Sequence, residues 1–269
     1  MKISPLSPIG IFDSGIGGLL IAKEIKMRMP NEDFIYFGDT INMPYGDKSK
    51  EFIIENSMKI ASFLYEKKCK ALVIACNSMT SNSLDVISKK FNSKILIFNV
   101  IDPIVRNQIF FSSKKIGIIA TPATIRSNFY MEKIKKYYRH LDVVQISTPL
   151  LAPMIEKGLK IKKNIIINYL NHFKSIDTLL LACTHYLFLK QEIDNFYHGQ
   201  VHLIDIQKIV VQEIKKKLNE EKLLCIHPTL NSKFPIFYTS GSIPTFFEKK
   251  VRILFGRKVF IKTHVFNYS

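Results

Sequence analysis

The sequence has no tryptophan and no apolar run that approaches the roughly 18 residues needed to cross a membrane. Its first 12 residues lack the apolar centre of a signal peptide. We therefore expect a cytoplasmic protein with no membrane-bound part. A length of 269 residues, 47% of them hydrophobic, is enough to bury one large core or two smaller ones.

Arginine is scarce, at 6 of the 39 basic residues, although the formal net charge is +17. Proteins that recognise phosphates and bases favour arginine because its planar guanidinium presents a fork of hydrogen-bond donors. The composition therefore indicates a lysine-rich solvated surface and no specific nucleic-acid partner. A basic protein that binds polyanions through charge alone is the alternative from a different functional class.

Paired cysteine motifs are also absent. The four cysteines are Cys69, Cys76, Cys183 and Cys225, and none of them has C-x-x-C or zinc-ligand spacing. Disulfides are uncommon in a reducing cytosol. Each cysteine is therefore expected to be a free thiol, either a small buried side chain or a reactive group.

No linker rich in Pro, Gly or Ser divides the chain, which instead alternates short apolar runs with amphipathic stretches. This alternation predicts an α/β fold with mostly parallel sheets. Helices are predicted, among others, for residues 51–67, 210–221 and about 246–255. Strands are predicted for residues 9–13, 34–37, 71–76, 95–100, 116–120, 143–146, 178–183, 201–205 and 236–238.

Two halves of the chain resemble each other at a constant offset of 107 residues. This repeat predicts two pseudo-symmetric α/β domains with an active-site cleft where the carboxyl ends of their strands meet. We place the first domain at residues 1–98 plus 209–269, because the tail is expected to return to it, and the second at residues 99–208. The matching segments are residues 9–11 with 116–118, 34–37 with 141–144, and 71–76 with 178–183.

Cys76 and Cys183 stand at equivalent positions of this repeat, each at the carboxyl end of a predicted strand. Polar residues that can open a helix follow both of them, at 77–78 and 184–185. A helix amino terminus beside a thiol stabilises the thiolate. A single cysteine at such a position is more often an inert buried side chain, but two at equivalent positions favour a shared chemical function.

Two facing thiols suit racemisation at a carbon atom. One base removes a proton from one face while an acid delivers a proton to the other, and the reverse reaction exchanges the two roles. Each sulfur must approach the carbon to about 3–3.5 Å, so the two sulfurs must lie about 6–7 Å apart without forming a disulfide. Donors that grip the α-carboxylate in a dry site would stabilise the charge that develops as the proton leaves.

The segments around these thiols carry a set of family motifs, which are residues 9–19 (IGIFDSGIGGL), 36–40 (YFGDT), 44–46 (PYG), 75–78 (ACNS), 121–125 (TPATI), 148–156 (TPLLAPMIE) and 182–186 (ACTHY). In this order they resemble the glutamate racemase family over most of the chain. The resemblance implies two α/β domains and interconversion of L- and D-glutamate for peptidoglycan synthesis. It also implies no pyridoxal phosphate or other cofactor and no metal; we further expect a homodimer.

Position by position, the resemblance implies that Cys76 acts on D-glutamate and Cys183 on L-glutamate. Asp13 and His185 correspond to accessory groups beside the first and second thiol, and Glu156 corresponds to a residue that orients His185. The substrate-binding positions implied by the resemblance are Asp13, Ser14, Pro44, Tyr45, Gly46, Asn77, Ser78, Thr121, Thr124, Thr184 and His185.

Several of these motifs can also be explained by local structure alone, without a bound substrate. Asp13 and Ser14 are good helix-capping residues, residues 44–46 are typical of a turn, and Thr121 and Thr124 are typical of a helix start. Only the combination of motifs favours substrate contacts.

Four positions depart from the family pattern. Ser78 replaces a threonine, Thr148 a cysteine, Leu187 a proline and Ile206 a serine. None of these changes removes a proposed catalytic group.

The alternatives among enzymes are an aspartate racemase of the same superfamily and a related decarboxylase. Paired thiols also permit aspartate racemisation, whereas a decarboxylase would need only one thiol. The motifs at residues 45–46 and 77–78 match the glutamate-specific pattern and disfavour both alternatives.

Overall fold

Ten strands form two parallel sheets in the computed structural model, which describes residues 3–227 and 235–266. Several central strands are buried along their whole length, because helices cover both faces of each sheet. The strands are β1 (Ile9–Asp13), β2 (Phe34–Gly38), β3 (Ala71–Ile74), β4 (Leu96–Asn99), β5 (Lys115–Ala120), β6 (Asp142–Ser147), β7 (Thr178–Ala182), β8 (His202–Leu203), β9 (Ile236–Thr239) and β10 (Phe260–Thr263).

Helices connect these strands, and two short 3-10 segments, Tyr45–Asp47 and Thr184–Leu189, accompany them. In the described part of the chain, none of the helices is long and apolar enough to cross a membrane. The helices are α1 (Leu19–Arg28), α2 (Lys50–Glu66), α3 (Asn77–Phe91), α4 (Asp102–Val105), α5 (Ile109–Ser112), α6 (Pro122–Arg126), α7 (Phe129–Tyr137), α8 (Leu151–Glu156), α9 (Lys163–Leu170), α10 (Lys190–Tyr197), α11 (Ile206–Glu220) and α12 (Thr245–Phe255).

The strand order confirms the predicted α/β fold and repeat. The larger sheet has the order β10-β9-β2-β1-β3-β4 and the smaller one β6-β5-β7-β8, so β2-β1-β3-β4 and β6-β5-β7-β8 are equivalent. Ile9 pairs with Ala71, and Ile116 pairs with Thr178, which keeps the 107-residue offset in the register. On the other side of the central strands the register differs. Ile9 pairs with Phe34 whereas Ile116 pairs with Val143, so β6 is shifted by two residues from the 107-residue offset.

The tail extends the first sheet, because β9 pairs with β2 and β10 pairs with β9. This pairing agrees with the expectation that the tail returns to the first half. The division into residues 1–98 plus 209–269 and residues 99–208 itself stays a prediction. The boundary after residue 98 lies one residue before the end of β4, and the boundary after residue 208 lies within the first turn of α11.

One apolar cluster runs through both halves of the molecule. It includes Ile11 of β1, Ile25 of α1, Val210 of α11 and Leu180 of β7, all of them fully buried. A second cluster fills the opposite face of the first sheet, where α2 and α3 pack, and includes Phe12. The two halves therefore share a continuous core that holds the carboxyl ends of their strands together.

Some element boundaries differ from the predictions. α11 begins at Ile206 rather than at residue 210, because the Asp205 side chain accepts a hydrogen bond from the Lys208 N–H and caps the helix. The strand predicted for residues 201–205 is correspondingly short, at His202–Leu203. β10 was not predicted, since three of its four residues are exposed and leave no apolar run.

Candidate active site

Cys76 and Cys183 lie just beyond the carboxyl ends of β3 and β7. Each strand is shorter than predicted, ending at Ile74 and at Ala182, and each cysteine adopts an extended conformation at the start of a helical segment. Cys76 precedes α3, whereas Cys183 precedes the 3-10 segment Thr184–Leu189. Both cysteines are free thiols, 6% and 5% exposed. The repeat thus places two buried thiols at equivalent positions.

The environment of Cys76 favours the protonated thiol. Burial raises the pKa of Cys76 well above its usual range, and the charges of Asp13 and Cys183 raise it further. The Met79 N–H and the Ser14 hydroxyl, 3.8 Å from Sγ, act in the opposite direction but are outweighed.

Asp13 ends β1 and is completely buried. Its Oδ1 accepts a hydrogen bond from the Gly15 N–H at 2.8 Å, and its Oδ2 accepts one from the Thr184 hydroxyl at 3.3 Å. Burial raises the pKa of Asp13, while the positive charge of His185 and the Gly15 N–H lower it in part. Because Thr184 belongs to the other half, this carboxyl group links the two halves beside the thiols.

A histidine and a glutamate lie beside Cys183. His185 Nδ1 is 3.6 Å from Cys183 Sγ, and His185 Nε2 is 2.6 Å from Glu156 Oε1. Glu156 Oε1 also accepts a hydrogen bond from the Ile16 N–H at 2.8 Å. Burial alone would lower the pKa of His185, but Glu156 and Cys183 raise it well above its usual range. This shift favours the imidazolium form of His185, next to the sulfur.

Glycines allow the loop after β1 to approach these groups. A Cβ atom on Gly15 would lie 1.8 Å from Glu156 Oε1. A Cβ atom on Gly17 would lie 2.5 Å from Thr184 Oγ1 and 2.7 Å from His185 Nδ1. A Cβ atom at either position would displace the loop or these side chains, so the close approach of the backbone depends on both glycines.

A second contact region joins three hydroxyl groups. Ser78 Oγ is 2.8 Å from Thr121 Oγ1 and 3.5 Å from Thr124 Oγ1, and the two threonine hydroxyls are 3.1 Å apart. Thr121 also caps α6 by accepting a hydrogen bond from the Thr124 N–H. A Cβ atom on Gly46 would lie 3.0 Å from Thr121. The predicted positions 46, 78, 121 and 124 therefore lie together.

Tyr45 is buried in the 3-10 segment that follows Pro44, and its hydroxyl donates to Asp39. Pro44 itself is only partly buried. Sequence reasoning did not assign Asp39 a role, although it belongs to the YFGDT motif, which is the signal that could have identified it.

Tyr130 is the residue of the site that sequence reasoning missed entirely. Its hydroxyl donates to Asn77 Oδ1 at 2.7 Å, and it is 1% exposed. Helical periodicity marks it only as a core position of α7, so the sequence offers no signal for this contact.

Asp13, Glu156 and His185 have the composition of a metal site, since their ligand atoms lie within 4.8 Å of one another. However, the 2.6 Å separation of His185 Nε2 and Glu156 Oε1 is that of a charge-assisted hydrogen bond. The expectation that no metal binds here stays a prediction.

The site as a whole is closed to solvent. Each predicted side chain apart from Pro44 is at most 6% exposed. These buried residues, with Gly46 among them, are Asp13, Ser14, Tyr45, Cys76, Asn77, Ser78, Thr121, Thr124, Glu156, Cys183, Thr184 and His185. A ligand the size of an amino acid would therefore be removed from water once bound.

Comparisons with known proteins give one consistent result, although no protein-family model matches the sequence. The chain is 36% identical to glutamate racemase of Aquifex aeolicus over 256 residues, which cover 93% of this chain and 95% of the relative. It is 41% identical to glutamate racemase of a Sulfurihydrogenibium species over 257 residues, which cover 93% and 94% of the two chains. The crystal structure of glutamate racemase from Francisella tularensis in complex with D-glutamate superposes with a TM-score of 0.87 at 34% identity, covering 98% of both chains. This chain therefore belongs to the glutamate racemase family.

Proposed function

We propose that this protein interconverts L- and D-glutamate through proton transfer by Cys76 and Cys183 on opposite faces of the α-carbon. The observation that carries the proposal is the pair of buried, free thiols at equivalent strand ends. The Asp13–Ser14 segment lies against both: Ser14 Oγ is 3.8 Å from Cys76 Sγ, and Asp13 Oδ2 accepts a hydrogen bond from Thr184, the residue after Cys183. The D-glutamate bound to the related Francisella protein supports the choice of substrate.

The two thiols have different polar neighbours. Cys76 is held as a thiol by burial and by Asp13. His185 Nδ1 lies 3.6 Å from Cys183 Sγ, where it can hydrogen-bond the sulfur as Cys183 gains or gives up a proton. This arrangement is ready for L-glutamate, because the base is at Cys183 and the acid is at Cys76.

The reaction then proceeds by two proton transfers. The Cα–H bond of L-glutamate breaks, its proton passes to the Cys183 thiolate, and the electron pair moves into the α-carboxylate. The Cys76 thiol delivers its proton to the opposite face of Cα and becomes a thiolate. The site is then ready for D-glutamate, and Asp13 and His185 accept or return protons to restore the starting state.

Buried donors around the thiols support binding of a dicarboxylic amino acid. The hydroxyls of Ser78, Thr121 and Thr124 form a cluster, and the Asn77 amide nitrogen has no hydrogen-bond partner among the described residues. In a site closed to water, such donors stabilise the negative charge that develops on the α-carboxylate more strongly than water-exposed donors would.

Three further expectations belong to the same proposal. The enzyme supplies D-glutamate for peptidoglycan synthesis, works in the cytoplasm without a cofactor, and forms a homodimer. Light scattering of the purified protein tests the dimer, and a single-chain mass near 31.1 kDa would refute it.

Circular dichroism of glutamate incubated with the pure protein tests the activity. We expect L- or D-glutamate to approach a racemic mixture with no added cofactor, while aspartate, the substrate of the alternative enzyme, keeps its optical signal. Racemisation of aspartate alone would reject the proposal in favour of an aspartate racemase.

Serine variants test the thiols individually. Cys76→Ser and Cys183→Ser should each lower the rate by about 10²- to 10⁴-fold or more, because a hydroxyl replaces the only proton-transferring group on one face. The matched control is Cys225→Ser, which changes a buried free cysteine whose thiol donates to the His227 carbonyl, away from the site. Near-normal racemisation by either site variant would reject that thiol's role.

A further inference from the structure

A buried tyrosine from the second half of the chain contacts the motif that follows Cys76. Tyr130 lies on α7, and its hydroxyl donates to Asn77 Oδ1 at 2.7 Å. Asn77 is the first residue of α3 and directly follows Cys76. The hydrogen bond therefore crosses between the two halves, next to one of the reacting thiols.

The nitrogen of the Asn77 side-chain amide, unlike its oxygen, lacks a hydrogen-bond partner among the described residues. Asn77 Nδ2 is buried and makes no hydrogen bond with any described residue. Buried amide donors are nearly always paired in folded proteins, with protein, water or a ligand. A carboxylate of a bound amino acid is an acceptor of the required kind.

The Tyr130 phenol keeps its proton and can therefore donate its hydrogen bond to Asn77. Burial raises the pKa of its phenol, and the charges of Cys183 and Asp102 raise it further. If the Asn77 amide were flipped, its Oδ1 would face the substrate, and two acceptors would repel each other. The observed orientation instead presents Nδ2, the end of the amide that attracts an anion.

We propose that Tyr130 is a positioning residue, which holds Asn77 Oδ1 and thereby directs the amide NH₂ group towards a carboxylate of bound glutamate. The inference rests on the proposed function, since glutamate is the ligand. Tyr130 acts through Asn77 and not on the reacting atoms. Its loss should therefore weaken binding more than it slows the chemical step.

Tyr130→Phe removes the hydroxyl and keeps the buried ring. We expect KM for glutamate to rise about tenfold, as for a lost hydrogen bond to a charged group, while kcat changes by less than about threefold. The control is Tyr138→Phe, because Tyr138 follows α7 and its hydroxyl donates to the Asn107 carbonyl at 3.3 Å. That variant should keep the wild-type KM.

A double-mutant cycle with Asn77→Ala tests whether Tyr130 acts through Asn77. If it does, the double variant has the same KM as Asn77→Ala alone, because the second change removes nothing further. Additive increases would overturn the proposal, as would a wild-type KM in Tyr130→Phe.

Asn77→Asp is a second variant that tests the proposal if Tyr130→Phe does not fold. The carboxylate still accepts the Tyr130 hydrogen bond but presents an acceptor to the substrate. It should raise KM more than Asn77→Ala does, and equal KM values would overturn the proposal.

Calorimetric titration with glutamate separates this inference from the proposed function. Wild-type protein that binds glutamate without racemising it would refute the racemase function, while a tenfold weaker Kd in Tyr130→Phe would still support the role of Tyr130. An unchanged Kd would reject that role. Wild-type protein that does not bind glutamate would overturn both.

Discussion

At the scale of single residues, the proposed mechanism depends on the charge of His185, which lies 3.6 Å from Cys183 Sγ. Burial opposes the imidazolium, and Glu156, hydrogen-bonded at 2.6 Å, overcomes that penalty. Glu156 Oε1 simultaneously accepts from the Ile16 N–H. The Glu156 carboxylate therefore stabilises the protonated form of His185 and also holds the ring against the loop that follows β1.

Glu156→Gln should shift the pH dependence of racemisation towards acid. The amide keeps an acceptor for the Ile16 N–H but removes the negative charge, so burial lowers the pKa of His185 and the imidazolium is lost at a lower pH. Above that pH, kcat/KM should fall roughly tenfold for each further pH unit. The measurement is the pH profile of kcat/KM from optical rotation.

The control for this profile is Glu248→Gln, which removes an exposed carboxylate paired with Arg252. Its profile should coincide with that of the wild type. The role of Glu156 would be contradicted by a variant that is slower at every pH without any shift of the profile.

The residue-level predictions from sequence depended on the repeat. Cys76 and Cys183 could be identified because two cysteines at equivalent positions are improbable by chance, and the motifs then supplied their neighbours. Tyr130 could not be identified, because its proposed role depends on a contact with Asn77 across 53 positions of sequence. Such a pairing exists only after the two halves pack together.

At the scale of elements, the loop between β1 and α1 is one of the parts of the first half that contact the second. Its Gly15 and Gly17 lie against Glu156, Thr184 and His185. The loop can approach so closely only because it has no side chains at these two positions.

Gly17→Ala should therefore lower activity while the protein still folds. The added Cβ would lie 2.5 Å from Thr184 Oγ1, so either the loop or the Thr184 and His185 side chains must move. Displacement of catalytic groups by about 1 Å costs roughly 100-fold in rate, which we expect in kcat/KM measured by optical rotation.

Gly199→Ala is the matched control, since its Cβ would meet nothing within 4 Å. Its positive φ of +71° makes alanine strained there, so thermal stability should fall while kcat/KM stays unchanged. Wild-type activity in Gly17→Ala would contradict the close approach of the loop.

Buried elements could be predicted from sequence more accurately than exposed ones. β1 and β2 are continuous apolar runs, and they were located to within one residue. β10 has no such pattern because it is an exposed edge strand whose pairing comes from β9. The start of α11 was misplaced because the capping role of Asp205 was not recognised.

At the scale of the whole molecule, the net charge of +17 has no counterpart in the site, which uses buried thiols, carboxylates and hydroxyls. We expect DNA binding to be weak, independent of sequence and lost near physiological salt, because it would rest on counterion release alone. Filter binding of two unrelated duplexes at rising salt measures this. Tight, sequence-dependent binding at physiological salt would contradict it.

The two-fold repeat of the whole molecule has its chemical counterpart in the two thiols. Equivalent strands bring one thiol from each half to a shared site, and a core that runs through both halves holds them there. In the proposed mechanism each face of the α-carbon has its own proton-transferring group, so the hydrogen removed from the substrate and the hydrogen given to the product belong to different sulfur atoms.

Incorporation of deuterium at the α-carbon tests this two-thiol mechanism most directly. L-glutamate is incubated with the protein in heavy water, and both enantiomers are separated at low conversion and analysed by mass spectrometry. We predict that newly formed D-glutamate carries deuterium, because its hydrogen comes from the opposite thiol in exchange with solvent, while recovered L-glutamate keeps protium. Deuterium appearing equally fast in recovered L-glutamate would indicate a single base and would contradict the mechanism.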